Sequence, residues 1–115
     1  MEHLNKIELR GVVGTVRLQS VEGRKVARIT LVTNRAYRGK EGEPVIESTW
    51  HNISAWENKD IADLENIRRG DKLWVVGRVR NQHYTGGDGV ERYSSDITAY
   101  KLQPISTDEQ FNYEM

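Results

Sequence analysis

Two tryptophans, Trp50 and Trp56, lie in a stretch where polar and apolar residues alternate. A β-strand sends alternate side chains to opposite faces, so this spacing places both indoles on one face. Their neighbours on that face are small and polar: Ser48, Asn52 and Ser54. Nucleic-acid bases stack on such a surface, because every base has a π-face and small neighbours let it lie flat. The pattern indicates a base-stacking strand; the alternative is that both tryptophans belong to the core and Ile53 points outward.

Aromatic and basic side chains alternate in two other places. One is a predicted fourth strand, and the other is a predicted loop that precedes the strand with Trp50. Rings interleaved with cations are what a channel for single-stranded nucleic acid requires. The residues predicted to stack on bases are Tyr37, Trp50, Trp56 and Tyr84, and those predicted to contact phosphates are Arg35, Arg38, Arg78 and Arg80.

The charge of the chain is low for a nucleic-acid-binding protein. The 115 residues suffice for one domain, and their formal net charge is zero. Residues 106–115 contain no basic residue, which leaves 17 basic against 14 acidic residues in residues 1–105. We therefore expect stacking to contribute strongly beside phosphate contacts. We also predict that residues 106–115 form a short, flexible acidic tail.

The composition predicts a cytoplasmic protein that does not enter a membrane. The chain has no cysteine, no long apolar run and no apolar signal segment at its N-terminus. An enzyme is not indicated either, since His3, His51 and His83 are scattered. The glycines of residues 86–89 lack the Lys and Ser/Thr that follow in a phosphate-binding loop. We predict no catalytic residue, no metal and no cofactor.

The order of predicted elements is that of a five-stranded Greek-key OB barrel with one short helix between strands 3 and 4. The second strand has Ala27, Ile29 and Leu31 on its apolar face. The helix is predicted over residues 60–69 from the spacing of its apolar residues. In the fourth strand, Val76 is predicted on the outward face. The all-β domain is predicted to span residues 1–105.

Four groups of residues resemble the bacterial-type single-stranded DNA-binding protein family. They are Asn5-Lys6-Ile7 with Gly11 and Gly14, the second strand of residues 26–33, Thr49-Trp50-His51-Asn52-Ile53, and residues 67–80. The resemblance implies an OB-fold tetramer that coats single-stranded DNA during replication, recombination or repair. It also implies that DNA stacks at the positions of Tyr37, Trp50, Trp56 and Tyr84.

The resemblance departs from the family at the C-terminal segment. Members usually carry a long linker that ends in an acidic tip with a Pro-Phe pair, whereas residues 106–115 have acidic and aromatic residues without that pair. We therefore expect weak or no recruitment of replication enzymes by the tail. The alternative function is a protein-interaction adaptor, similar to a primosomal accessory protein, that keeps the barrel and works as a bridge between proteins.

Overall fold

The computed structural model describes residues 1–105 and contains five strands that close into a barrel. The strands are β1 (Ile7–Val21), β2 (Arg24–Arg38), β3 (Pro44–Trp56), β4 (Lys72–Thr85) and β5 (Glu91–Pro104). Their order around the barrel is β1-β2-β3-β5-β4, and β4 returns to pair with β1. β3 and β5 run parallel, while the other neighbouring strands are antiparallel. The predicted all-β OB barrel is confirmed.

The barrel interior is filled by the apolar faces of its strands. Ile29 of β2 lies opposite Ile53 of β3, and Ala27 lies opposite Ala55. All four are at most 2% exposed. Because Ile53 points inward, the alternation along β3 turns the two tryptophans outward. The alternative that Trp50 and Trp56 form the core is wrong.

The segment between β3 and β4 contains less helix than its periodicity predicts. Its helical part is a single 3-10 turn, Leu64–Asn66, rather than residues 60–69. The backbone before the turn pairs with β5 instead, since the Ala62 N–H donates to the Leu102 carbonyl at 2.8 Å. The Asp63 side chain then accepts the Glu65 N–H and caps the turn. Tertiary pairing with β5 therefore overrides the local helical pattern.

Val76 is more buried than its predicted outward position suggests. It is 4% exposed, although its position alternates with that of the core residue Val75. The pairing of β4 with β5 shifts register between Val76 and Gly77, as at a β-bulge. The extra residue of this bulge is Tyr100 of β5, because Val76 pairs with Lys101 and Gly77 pairs with Ala99. β4 therefore keeps its alternation, and Val76 lies outside the core cluster that contains Leu73 and Val75. Beyond the bulge the predicted outward positions Arg78 and Arg80 are exposed.

The hairpin connections between strands are short. Residues 39–43 join β2 to β3, and residues 86–90 join β4 to β5 at the predicted glycine-rich tip. Within residues 1–105 no helix has the length and apolar character needed to cross a membrane. The predicted tail, residues 106–115, lies outside the described residues.

Candidate nucleic-acid interface

Strand register aligns outward-facing residues into two rows that cross all five strands of the barrel. The first, here called the arginine row, consists of Arg17, Arg28, Ser54, Thr98 and Arg78. The second, here called the polar row, consists of Thr15, Thr30, Asn52, Asp96 and Arg80. Neighbouring strands are about 4.8 Å apart, so each row extends over roughly 19 Å. The rows run side by side and form a polar band with cations at both ends.

Trp50 and Trp56 stand on either side of this band. Along β3 the outward positions are Trp50, then Asn52 of the polar row, Ser54 of the arginine row, and Trp56. At about 3.4 Å per residue, the two tryptophans are roughly 20 Å apart along the strand. The β3 sequence thus provides an aromatic residue at each edge of a hydrogen-bonding surface.

The indole of Trp50 is held against β1 by a glycine. Val13 pairs with Leu31 and Thr15 with Thr30, so Gly14 is the extra residue of a bulge in β1. A Cβ at Gly14 would overlap Cζ3 of the Trp50 ring. The indole is nevertheless 61% exposed. One part of the ring therefore rests on the β1 backbone, while the remainder is open to a ligand.

Trp56 has a different environment, because it is partly buried and already has a cation beside it. The guanidinium carbon of Arg24 lies 5.0 Å from the centre of the Trp56 ring. Such a contact occupies one face of an indole. Trp56 can therefore offer less ring surface to a base than Trp50 does.

Arg17 and Arg28 are two basic residues of the interface that the sequence analysis did not select. They lie directly opposite each other across β1 and β2. Arg28 donates to the Ser54 hydroxyl at 2.5 Å. Within residues 1–105 neither arginine forms a salt bridge. Like charges directly opposite each other destabilise a sheet, so the pair creates a local excess of positive charge that an anion would neutralise.

The alternation of apolar residues along β1 predicts that Arg17 faces outward. Val16 and Leu18 pair with the core strand β2, so the residue between them must face outward. Its position opposite Arg28 follows only from the register of β1 on β2. That register is shifted by the bulge at Gly14.

The three predicted residues of β4 share the outward face of the barrel. Arg78 and Arg80 are exposed and lie opposite Thr98 and Asp96. The same alternation leads to Tyr84, which is 49% exposed and lies opposite Arg92. The structure therefore places these three residues on the same face of the sheet as Trp50 and Trp56.

Tyr37, Arg35 and Arg38 belong to β2 and not to the loop in which they were predicted. Regular pairing with β3 places Tyr37 and Arg35 on the face of Leu31, opposite to Trp50. The Arg35 guanidinium carbon lies 5.3 Å from the Tyr37 ring centre. Arg38 is on the Trp50 face and donates to the Gly42 carbonyl at 3.3 Å. Within one chain, Tyr37 and Arg35 are therefore separated from the other six predicted residues by the thickness of the sheet.

A second aromatic pair lies on the opposite face of the β4–β5 hairpin from Tyr84. His83 and Tyr93 are cross-strand neighbours whose rings stack at 4.7 Å with an interplanar angle of 9°. The His83 Nε2 atom is 3.5 Å from a Glu91 carboxylate oxygen. The alternation of residues within one strand does not predict this stack, because the stack requires the register of the hairpin.

His51 lies next to Trp50 but on the inward side of β3. Its Nε2 atom is 2.9 Å from the Thr33 hydroxyl. Partial burial lowers the pKa of His51, because it disfavours the charged imidazolium. Among residues 1–105 no three His, Cys, Asp or Glu side chains are grouped so that they could hold a metal ion.

A closed OB barrel with exposed rings and arginines on its outer surface defines an OB-fold protein with a candidate nucleic-acid interface. The chain belongs to the single-strand binding protein family, whose sequence profile matches residues 4–105. It is 33% identical over 106 residues to the single-stranded DNA-binding protein of Xanthomonas campestris, with 89% of this chain and 60% of that protein covered. It is 31% identical to the mitochondrial single-stranded DNA-binding protein of Danio rerio, with 90% of this chain and 77% of that protein covered. The chain thus spans about 60% of the length of the Xanthomonas relative.

Solved structures show the same fold. An SSB of Plasmodium falciparum in complex with single-stranded DNA aligns with a TM-score of 0.79 and 25% identity, covering 92% of this chain and 98% of that one. A deletion mutant of the single-stranded DNA binding protein from Thermus aquaticus aligns with a TM-score of 0.72. At 16% identity, with 91% of this chain and 52% of that one covered, this second likeness supports the fold alone.

Proposed function

We propose that this chain binds single-stranded DNA with little sequence preference and protects it during replication, recombination or repair. The observation that carries the proposal is the open indole of Trp50 at the edge of a polar, cationic band on the barrel. Bases would stack on Trp50, Trp56 and Tyr84, and phosphates would bind Arg38, Arg78 and Arg80. Arg17 and Arg28 join this phosphate-binding set. Family membership and the DNA complex of the Plasmodium protein support the same function.

Tyr37 and Arg35 would contact DNA on the other face of the β2–β3 hairpin. A DNA strand that passes around the β2–β3 hairpin, or that crosses from one protomer to another, would reach both residues. Their contribution therefore depends on how the DNA wraps, whereas that of Trp50 does not.

Intrinsic fluorescence tests the proposal, because base stacking quenches an indole. Addition of oligo-dT should quench the parent, and most of the quench should disappear in Trp50→Phe. Trp74→Phe is the matched control. The Trp74 indole N–H donates to Glu8 at 2.6 Å, and Trp74 pairs with Arg10 at a point along β4 that lies outside the band. No binding of oligo-dT to the folded parent would reject the function and leave the adaptor alternative. The low charge of residues 1–105 is the feature that favours that alternative.

We further propose that the protein assembles as a homotetramer. β1 pairs with β4 only over Ile7 to Val12, and its remainder pairs with β2 on one side. Within residues 1–105, the other edge of residues 15–21 meets no strand, and Leu18 and Val21 there are about 40% exposed. Pairing of such edges between copies buries exposed backbone and apolar side chains. Light scattering at micromolar concentration should give four times the mass of the chain; a monomer mass would refute assembly.

The remaining expectations accompany this function. We propose a non-catalytic, cytoplasmic protein without metal or cofactor, whose OB domain spans residues 1–105. Residues 106–115 carry three carboxylates and no Pro-Phe pair, so we propose weak or no recruitment of replication enzymes through them.

A further inference from the structure

A cavity of about 350 Å³ opens between Trp50 and Trp56 on the outer face of the barrel. Arg17 and Arg28 line one side of it, and Asn52 and Asp96 line the other. The volume lies at the lower end of the range of small-molecule pockets, which suits one part of a polymer better than a separate cofactor. The cavity has opposite charges at its two sides.

Asp96 is the unexpected residue of this cavity. It is partly buried in β5, opposite Asn52 and Arg80. Within residues 1–105 its carboxylate makes no hydrogen bond and no salt bridge, even to Arg80. A negative charge at this place repels the phosphates of DNA. Its position in the middle of a DNA-binding band therefore requires a different partner.

That partner must donate hydrogen bonds, because an ionised carboxylate only accepts them. In a single strand the amino groups at cytosine N4, adenine N6 and guanine N2 are all available as donors, whereas thymine has no amino group and its N3–H lies between the carbonyl acceptors O2 and O4. A carboxylate that faces the edge of a base therefore binds the amino-bearing bases better than thymine.

The charges of the cavity also set the orientation of a nucleotide. Arg28 and Asp96 lie on strands separated by β3, which places their backbones about 10 Å apart across the sheet. Phosphate is attracted to the Arg17–Arg28 pair, so the base of the same nucleotide extends toward Asp96. Along β3, Trp50 and Trp56 lie two residues beyond Asn52 and Ser54 of the cavity wall, where they can stack on that base or on its neighbours.

We propose that Asp96 selects amino-bearing bases, by accepting a hydrogen bond from the amino group of cytosine, adenine or guanine at one position of the bound strand. This inference rests on the proposed function, and it adds a base preference to an interface that otherwise binds by stacking and charge. Hydrogen bonds to charged groups contribute more than neutral ones. In this open cavity we expect a three- to tenfold effect.

The test compares oligo-dC with oligo-dT of equal length in the fluorescence titration. Three proteins are measured: the parent, Asp96→Asn, and Glu22→Gln as a control that removes one carboxylate from the β1–β2 turn, outside the cavity. The Asn amide both donates and accepts, so it treats the two bases alike. We expect the ratio of dC affinity to dT affinity to fall about three- to tenfold in Asp96→Asn and to stay constant in Glu22→Gln. The ratio removes differences in the intrinsic stacking of the two oligonucleotides.

A second measurement uses the parent protein alone, so it does not depend on the folding of a variant. The probe is an oligonucleotide of the pyrimidin-2-one nucleoside, in which hydrogen replaces the amino group of cytosine. It should bind three- to tenfold more weakly than oligo-dC. Equal affinities of the parent for this oligonucleotide and for oligo-dC would overturn the inference. So would an equal rise in affinity for oligo-dC and oligo-dT in Asp96→Asn, which would show that the carboxylate acts only by repelling phosphates. Failure of every oligonucleotide to bind would instead reject the proposed function.

Discussion

Gly14 of β1 lies against the indole of Trp50 of β3, and the absence of its side chain leaves the space that the ring occupies. The ring reaches across β2 to make this contact, because Trp50 pairs with Val32 and the bulge brings Gly14 beside Thr30. A ring fixed before a ligand arrives loses less conformational freedom on binding. Gly14 therefore favours DNA binding by allowing the Trp50 indole to occupy this position.

Gly14→Ala should displace the Trp50 indole and weaken the binding of oligo-dT while the barrel stays folded. The methyl group would overlap the ring, and the side chain would have to leave its position. We expect a loss of affinity of about threefold to thirtyfold, up to the loss of one stacked base. Fluorescence titration measures the affinity, and the emission maximum of the free protein should shift. Gly87→Ala, at a site with open space around a Cβ, is the matched control.

Trp50→Ala should weaken binding more than Trp56→Ala does. A stacked base contributes about 1–3 kcal/mol, so loss of Trp50 should cost roughly fivefold to a hundredfold in affinity. Arg24 lies over the ring of Trp56 and occupies part of its stacking surface. Anisotropy of labelled oligo-dT measures both variants, with circular dichroism as the check of folding. If the order of the two losses is reversed, the assignment of Trp50 as the main stacking residue is wrong.

Arg17→Gln should weaken DNA binding and at the same time stabilise the free protein. Removal of one cation relieves its repulsion with Arg28 across the strands, an effect of about 0.2–1 kcal/mol. It also removes about one phosphate contact, which reduces the slope of log affinity against log salt by about 0.7. Urea unfolding and salt titrations measure the two effects. Arg69→Gln, on the segment before β4 and away from the band, controls for net charge.

His51 should make the free energy of unfolding depend on pH. Its pKa is lowered in the folded protein because the ring is partly buried, so the unfolded chain binds more protons than the folded one below about pH 6.5. Stability should therefore be constant above neutral pH and decrease as the pH falls through 6.5. Urea unfolding of the parent and of His51→Gln between pH 5.5 and 7.5 isolates this effect. The difference in the free energy of unfolding between the parent and His51→Gln should increase with pH in favour of the parent. A difference that does not change with pH would exclude His51 as the source of the pH dependence.

The alternating pattern of β2 and β3 was sufficient to predict the part of the interface around Trp50. Inward Ile29 and Ile53 fix the faces of both strands, and the outward position of Trp50 follows from them. Side-chain alternation is a local property of a strand, so the sequence contains it in full.

Bulges and tertiary pairing account for what the sequence did not predict. The Arg17–Arg28 pair depends on the bulge at Gly14, which shifts the register of β1 on β2. The segment predicted as a helix contains only one helical turn, because Ala62 forms a backbone hydrogen bond with Leu102, a residue distant in the chain. Tyr37 lies in β2 and not in the predicted loop, because β2 extends further than its apolar residues do. Each of these outcomes depends on a partner strand, and local composition does not specify that partner.

The parallel pairing of β3 with β5 has a kinetic consequence. Asn52 and Asp96 are neighbours in the polar row although they are 44 positions apart in the sequence, and no short hairpin can bring them together. Contacts between distant parts of a chain form late, because the entropy of closing the intervening loop must be lost first. The hairpins β1–β2, β2–β3 and β4–β5 can each form locally, but the row that crosses them is complete only when β5 docks on β3. We therefore expect refolding chains to gain affinity for DNA in the same kinetic phase in which the barrel closes, after most of the β-structure has formed.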